Sequence, residues 1–143
     1  MFQISAKTEY GLQLMLALAE FHGKRRLSLR EIAKKRNLPY PFLSGIASQL
    51  KKAKLIEPKE GAAGGYHLTR VPSKITAGDV IQAIEGDFSI VRCQQDDKYE
   101  CPNNEFCTLP PLWNKVSERL YHTFHALTLA ELLHQPKKAL AKV

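Results

Sequence analysis

The stretch that most narrows the choice of fold is LSLREIAKKRNLPYPFLSGIASQLKKAKLI, residues 27–56, together with the EPKEGAAGGYHLTR that follows it. Ser28 precedes Glu31 by three positions, the spacing of a capping box, in which the two side chains satisfy orphan backbone donors at a helix start. A short helix therefore begins near Leu29, with Leu29, Ile32 and Ala33 inward and Arg30, Lys34, Lys35 and Arg36 outward. A break at 37–39 leads into a second helix whose apolar positions are Phe42 or Leu43, Ile46, Leu50 and Leu55. Pro41 suits its first turn, where a missing N–H costs nothing. Two short helices joined by a tight turn predict a helix-turn-helix. Gly61, Gly64 and Gly65 then supply the turn residues of a hairpin between two short extended pieces. A helix-turn-helix followed by a glycine-rich hairpin is a winged helix, and the expected fold class is mainly α.

The flanks extend this layout. A first helix is expected from about Ser5 to Phe21, with leucines on more than one face and therefore packed on several sides. After Pro72, ITAGDVIQAIEG carries a capping pair at Thr76 and Asp79 and reads as an amphipathic helix closed by Gly86. From about Pro110 to Leu127, the residues Trp113, Val116, Leu120, Phe124 and Leu127 recur every three or four positions. They form one apolar stripe about 27 Å long. Such a stripe beyond a domain with its own core points to a homodimer, since helix-turn-helix proteins commonly bind two symmetric half-sites. The alternative is a helix folded back on its own domain. Thr128 and Glu131 open a last short helix. The expected organisation is a DNA-binding winged helix over 1–75, a short helix and cysteine loop over 76–108, dimerisation helices over 109–134 and a flexible tail over 135–143.

Charge is divided unevenly. Residues 1–75 hold 14 Lys and Arg against 5 Asp and Glu, a net +9, whereas residues 76–143 hold 7 against 9, a net −2. A basic block confined to the winged helix suits a polyphosphate partner, double-stranded DNA, because each neutralised phosphate releases condensed counterions. The early apolar run LQLMLALAEF includes Gln13 and Glu20 and is about half the roughly 20 residues a membrane span needs. With an odd number of cysteines and no basic-then-apolar start, a reducing cytoplasm is expected. An enzyme is not expected, since the chain shows no phosphate loop, paired catalytic carboxylates or nucleophile with its base. A protein-docking adaptor built on the winged domain is the rival from another class, and it predicts little DNA affinity.

All three cysteines lie in one polar loop, CQQDDKYECPNNEFC, residues 93–107. Gaps of seven and five residues do not match the close ligand pairs of a structural zinc site. The loop holds no histidine to act as a base, and its carboxylates oppose a thiolate nucleophile. Three chemistries stay open on the residues alone: an iron–sulfur cluster, whose size tolerates wide spacing, a dithiol redox switch with one thiol spare, and incidental free thiols.

In order along the chain, ISAKTEYGLQLMLALA, the helix-turn-helix, EGAAGGYHLTR, ITAGDVIQAIEG, the cysteine loop, PPLW and TLAEL together resemble the IscR/NsrR family of winged-helix regulators over about residues 1–134. The resemblance implies a dimeric transcription regulator, expected to be a repressor, whose operator affinity depends on a two-iron or four-iron cluster held by Cys93, Cys101 and Cys107. It implies nitric oxide, iron supply or redox status as the signal. One branch carries a histidine three residues after the last cysteine, where this chain has Pro110. The nitric-oxide-sensing branch takes a carboxylate near the start of the first helix, supplied across the dimer, and Glu9 falls at that position. A carboxylate is a hard ligand beside thiolates and easily displaced. The alternative is a cluster-free thiol-redox DNA-binding regulator.

For DNA, the second helix of the motif is expected in the major groove, with Pro41, Phe42, Ser44 and Gly45 at base edges and Gln49 further along. Ser44 and Gly45 are small where related regulators carry longer polar residues, which shifts readout toward Ser44, Gln49, apolar contact from Phe42, and DNA shape. Arg30, Lys51, Lys52 and Lys59 are expected on phosphates. Ser28, Gly64, Gly65 and Tyr66 complete the expected DNA-binding set, with His67 as a further phosphate contact, and Glu60 stands where some relatives place a minor-groove arginine.

Overall fold

Ser5 accepts a hydrogen bond from the Thr8 amide and starts α1, Ala6–Glu20. It does so in a computed structural model that describes residues 4–136; 137–143, most of the expected tail, lie outside the described residues. The several-sided apolar pattern of α1 has the predicted consequence. Leu14, Met15 and Leu18 are buried, and the helix is flanked by α2 (Leu29–Arg36), α3 (Tyr40–Lys52), α4 (Ala77–Glu85) and α7 (Leu129–Leu133).

The capping box at Ser28 and Glu31 is formed in both directions. Asn37 ends α2 in the left-handed conformation at φ 52°, which asparagine tolerates better than most residues. Pro41 occupies the first turn of α3, as predicted. Lys54 then turns the chain at φ 57° into β1, Ile56–Lys59, so Leu55 is buried just beyond α3 rather than on it. Antiparallel β2, Gly65–Leu68, pairs Ile56 with Leu68 and Lys59 with Gly65. Leu27 adds a third rung by exchanging backbone hydrogen bonds with Tyr66 at 2.8 and 3.1 Å. Close approach explains Gly65 here, since a Cβ would sit 2.7 Å from the Leu27 backbone.

A 3-10 turn at Pro72–Lys74 leads to α4, capped by Thr76 and Asp79 and ended by Gly86. The cysteine loop contains one element that the residue pattern did not suggest, a single helical turn α5, Arg92–Gln95. The long helix α6 spans Pro110–His125, and the third predicted capping box opens α7.

One core runs through both ends of the chain. Leu14, Met15, Leu43, Ile46, Leu50, Ile75, Val80 and Leu129 are fully buried together. Leu129 belongs to α7, and its amide bonds the Ile75 carbonyl at 2.9 Å while the Ala77 amide bonds Leu127 at 2.8 Å. Glu85, at the end of α4, accepts hydrogen bonds from the hydroxyls of Ser5 and Thr8, which ties α4 to the start of α1. These bonds, Ser5 first and Thr8 second, hold the Glu85 carboxyl below the usual range. By contrast, α6 has no buried residue; Trp113, Val116, Leu120 and Phe124 are only partly covered, and Leu112 and Tyr121 are exposed. Its C-terminal half rests on α4 and on Phe88, just beyond α4, whose ring lies 5.8 Å from Phe124 and 5.6 Å from Tyr121.

Candidate nucleic-acid interface and cysteine site

The helix-turn-helix presents one exposed face. Glu31 is fixed by the Ser28 amide at 2.9 Å and by Arg25 at 2.7 Å, and these two bonds, in that order, lower its carboxyl pKa. Ser28 is thus committed to capping. Beside it, Arg30 stacks on Tyr40 with its guanidinium carbon 5.1 Å from the ring centre, which joins the starts of α2 and α3. Pro41, Phe42, Ser44 and Gly45 are all exposed, Phe42 at 62%. The Phe42 ring lies 6.4 Å from that of Tyr10 of α1, tilted by 51° to it. Between α1 and α3 lies an open, largely apolar concavity of ≈ 610 Å³, and Lys7, Tyr10, Phe42 and Gly45 are among its lining residues.

Other expected DNA-contact residues are placed differently from one another. Lys51 and Lys52 are exposed at the end of α3 and Lys59 at the end of β1, free to meet phosphate. Gln49 is turned to α4, where its amide nitrogen donates to the Ile84 carbonyl at 3.3 Å. Tyr66 is half-buried against the core, and Gly64, like Gly65, allows a close backbone approach, in its case to the Lys59 carbonyl. Gly64, Gly65 and Tyr66 therefore shape the hairpin. His67 lies opposite Glu57, with its Nε2 3.8 Å from that carboxylate. Lys7, which residue patterning assigned no role, and Tyr10, expected only as an apolar packing residue of the first helix, share the concavity with α3; the signal was their position one turn apart on α1.

The three cysteines come together at the foot of α6. Cys93 stands exposed on α5, while Cys101 and Cys107 are partly exposed, and all three thiols are free. They line one open concavity of ≈ 740 Å³ whose wall includes Ile90, Val91 and Trp113. Among the described residues no three His, Cys, Asp or Glu side chains converge as they would on a single metal ion. Gln94 locks α5 to α6, donating to Asn114 at 2.9 Å and accepting from Ser117 at 3.3 Å. Arg92 covers Tyr99 at 5.1 Å.

Glu9 is exposed in the first turn of α1 and opens on a different concavity, shared with Leu16, Arg36, Phe124, Leu127 and Leu132. One chain does not bring it to the cysteines. His122 and His125 do not pair as ligands. His122 is exposed beside Glu118, while His125 bonds the Tyr121 carbonyl at 2.9 Å and stacks on that ring at 4.1 Å. No helix among the described residues is long and apolar enough to cross a membrane.

Comparison with known proteins matches residues 4–135 to the Rrf2 family, described as an iron-dependent transcriptional regulator. The chain is similar to the HTH-type transcriptional regulator CymR of Bacillus subtilis (strain 168), with 36% identity over 130 residues, 91% of this chain and 88% of the relative. The solved structure of that protein, described as the global cysteine regulator, superposes with a TM-score of 0.73 over 93% of this chain and 97% of the other. The HTH-type transcriptional regulator IscR of Sodalis glossinidius is 31% identical over 131 residues, 92% of this chain and 78% of the relative. The structure of T. potens IscR gives a TM-score of 0.74 at 30% identity, covering 99% and 94%.

Proposed function

Because the chain belongs to the Rrf2 family of transcriptional regulators, we propose that it binds operator DNA as a cytoplasmic homodimer under the control of an iron–sulfur cluster. Cys93, Cys101 and Cys107 would hold that cluster, and the partner subunit's Glu9 would complete the ligand set. The observation that carries this reading is the gathering of all three thiols on one concavity at the foot of α6. Three soft thiolates suit iron–sulfur chemistry, and a cluster is larger than the single ion that three converging ligands would need. A bound cluster would supply iron open to attack by nitric oxide or oxidants.

This chain's own residues provide the route from loop to groove. Gln94 fastens α5 to α6, α6 packs on α4 with Phe124 against Phe88 just past its end, and Gln49 joins α4 to α3 through the Ile84 carbonyl. A signal that favours one arrangement of the cysteine loop would thereby bias the spacing of two recognition helices, provided its affinity differs between the arrangements. We read the chain as a DNA-binding unit, a sensing loop and a dimerising α6, with the partly uncovered stripe of α6 set against a second copy. At the DNA, Phe42, Ser44 and Gly45 face the major groove, while Arg30, Lys51, Lys52 and Lys59 meet phosphate.

A cluster-free thiol switch is the second reading, favoured by the three free thiols and by the lack of a ready-made three-ligand set among the described residues. Anaerobic purification separates the two. The first predicts a brown protein with iron and sulfide that loses its colour in the triple Cys93→Ser, Cys101→Ser, Cys107→Ser variant, together with the response of operator binding to nitric oxide. Colourless wild-type protein whose DNA binding responds to thiol oxidants would instead establish the second.

A further inference from the structure

The chain has eight glycines, and seven have a reason inside the molecule. Gly23, Gly61 and Gly86 have positive φ; at Gly11, Gly64, Gly65 and Gly78 an added Cβ would approach a neighbouring atom within 2.7 Å. Gly45 has neither reason among the described residues: it is helical without a positive φ, and a Cβ there would meet none of their atoms within 4 Å. It lies in the interior of α3, where glycine is less favourable than alanine because it loses more backbone freedom and leaves the backbone bare. Folding of one chain therefore does not call for it. A glycine that the fold does not use marks a close approach from outside.

What approaches is indicated by the surroundings. Phe42 stands one helical turn before Gly45 on the same face and leaves 62% of its surface uncovered. Tyr10 braces its ring from α1. The concavity beside the pair is mostly apolar and has Lys7 on its margin, and the first 75 residues carry a net +9. An aromatic ring next to a bare patch of helix, set in a basic surface, matches a methyl group carried on a polyanion. In the major groove of DNA that group is the C5-methyl of thymine, which no other standard base presents.

We propose that Phe42 and Gly45 form a thymine-methyl reader: the methyl seats against the Phe42 ring, and the absence of a side chain at Gly45 lets the base edge come close enough for it to do so. This rests on the reading of α3 as the groove-entering helix, and it goes further by naming the base and the group read. Recognition at this position is apolar and depends on fit.

The test uses the full chain and a duplex selected by the wild-type protein from a randomised pool. Each thymine is replaced in turn by deoxyuracil, which keeps the Watson–Crick edge and removes only the methyl. Burial of one methyl contributes about four-fold in affinity, so a symmetric pair of half-sites loses roughly fifteen-fold at one pair of positions. Phe42→Ala should bind the thymine and uracil duplexes equally. Gly45→Ala should melt about 3 °C higher yet bind about ten-fold more weakly, with an unchanged salt slope. Salt-dependent binding that ignores every uracil replacement, or a selected duplex without thymine, overturns the reader while leaving α3 as the DNA-binding helix. Absence of salt-dependent binding to any duplex removes both. If Gly45→Ala instead converts dimer to monomer, the bare patch belongs between two copies and the reader is wrong.

Discussion

Replacing Leu129 by alanine tests whether the chain's last described helix is an appendage or part of the DNA-binding unit's core. Leu129 is 0% exposed, in a cluster with residues of α1, α3 and α4. The substitution removes three carbons, about 2.4 kcal/mol of transfer free energy at about 0.8 kcal/mol per buried group. The cavity left behind adds to this, which brings the expected loss to about 3–4 kcal/mol. With a urea slope of about 2 kcal/mol/M for a chain of this size, the unfolding midpoint should fall by about 1.5–2 M. Equilibrium urea unfolding, followed by far-ultraviolet circular dichroism at two protein concentrations, measures it. Leu112→Ala is the control, because Leu112 is 48% exposed on α6. It should cost under about 0.5 kcal/mol in the folding of one chain, and in the proposed dimer any larger loss should shrink as protein concentration rises, since a dimer's stability depends on concentration. A Leu129→Ala midpoint within 0.5 M of wild type by the same order-of-magnitude reckoning, at equal slope, would refute the shared core.

Two further outcomes follow from the charges. Glu85 has a lowered folded-state pKa, so the stability it confers is present above its unfolded value and is lost as pH falls through the folded value; Glu85→Gln should lower the melting temperature at neutral pH and flatten its decline on acidification, so that the two profiles converge below about pH 4.5. Lys51→Ala and Lys52→Ala should each reduce the slope of log affinity against log salt by about 1 per protomer contact without changing which duplex is preferred, checked by fluorescence anisotropy over a salt series.

Elements whose ends are set by local chemistry were legible in the sequence. Ser28 with Glu31, Thr76 with Asp79 and Thr128 with Glu131 announced three helix starts because each pair satisfies donors a few residues away, and all three boxes are formed. The hairpin was likewise written in its glycines. What sequence spacing did not disclose depends on contacts between distant segments. Gln49 reads as an outward polar residue on a groove-binding helix, yet it bonds the Ile84 carbonyl, a partner set by how α4 crosses α3. The α5 turn carries a weak helical pattern of its own and is held by Gln94 through Asn114 and Ser117 of α6. The short sequence distance between Cys93 and Cys107 made their gathering plausible, but the shared concavity depends on that anchoring of α5 and on the wall that Trp113 supplies.

The uneven use of apolar residues indicates where a conformational response can occur. On α1, Leu14, Met15, Ala17 and Leu18 are all buried, so any tilt of that helix would open cavities across the core. On α6 no residue is buried, and the contact with its own chain is concentrated at Phe88, Phe124 and His125. Displacing α6 about that aromatic seat disturbs few buried groups, so the free-energy difference between two positions of α6 can be small enough for events at the cysteine loop to reverse it. The same displacement would carry α5 with it through Gln94. Under the proposed function, a helix that its own chain leaves half-uncovered is the element best suited to translate a change at three thiols into a change in the spacing of two reading helices.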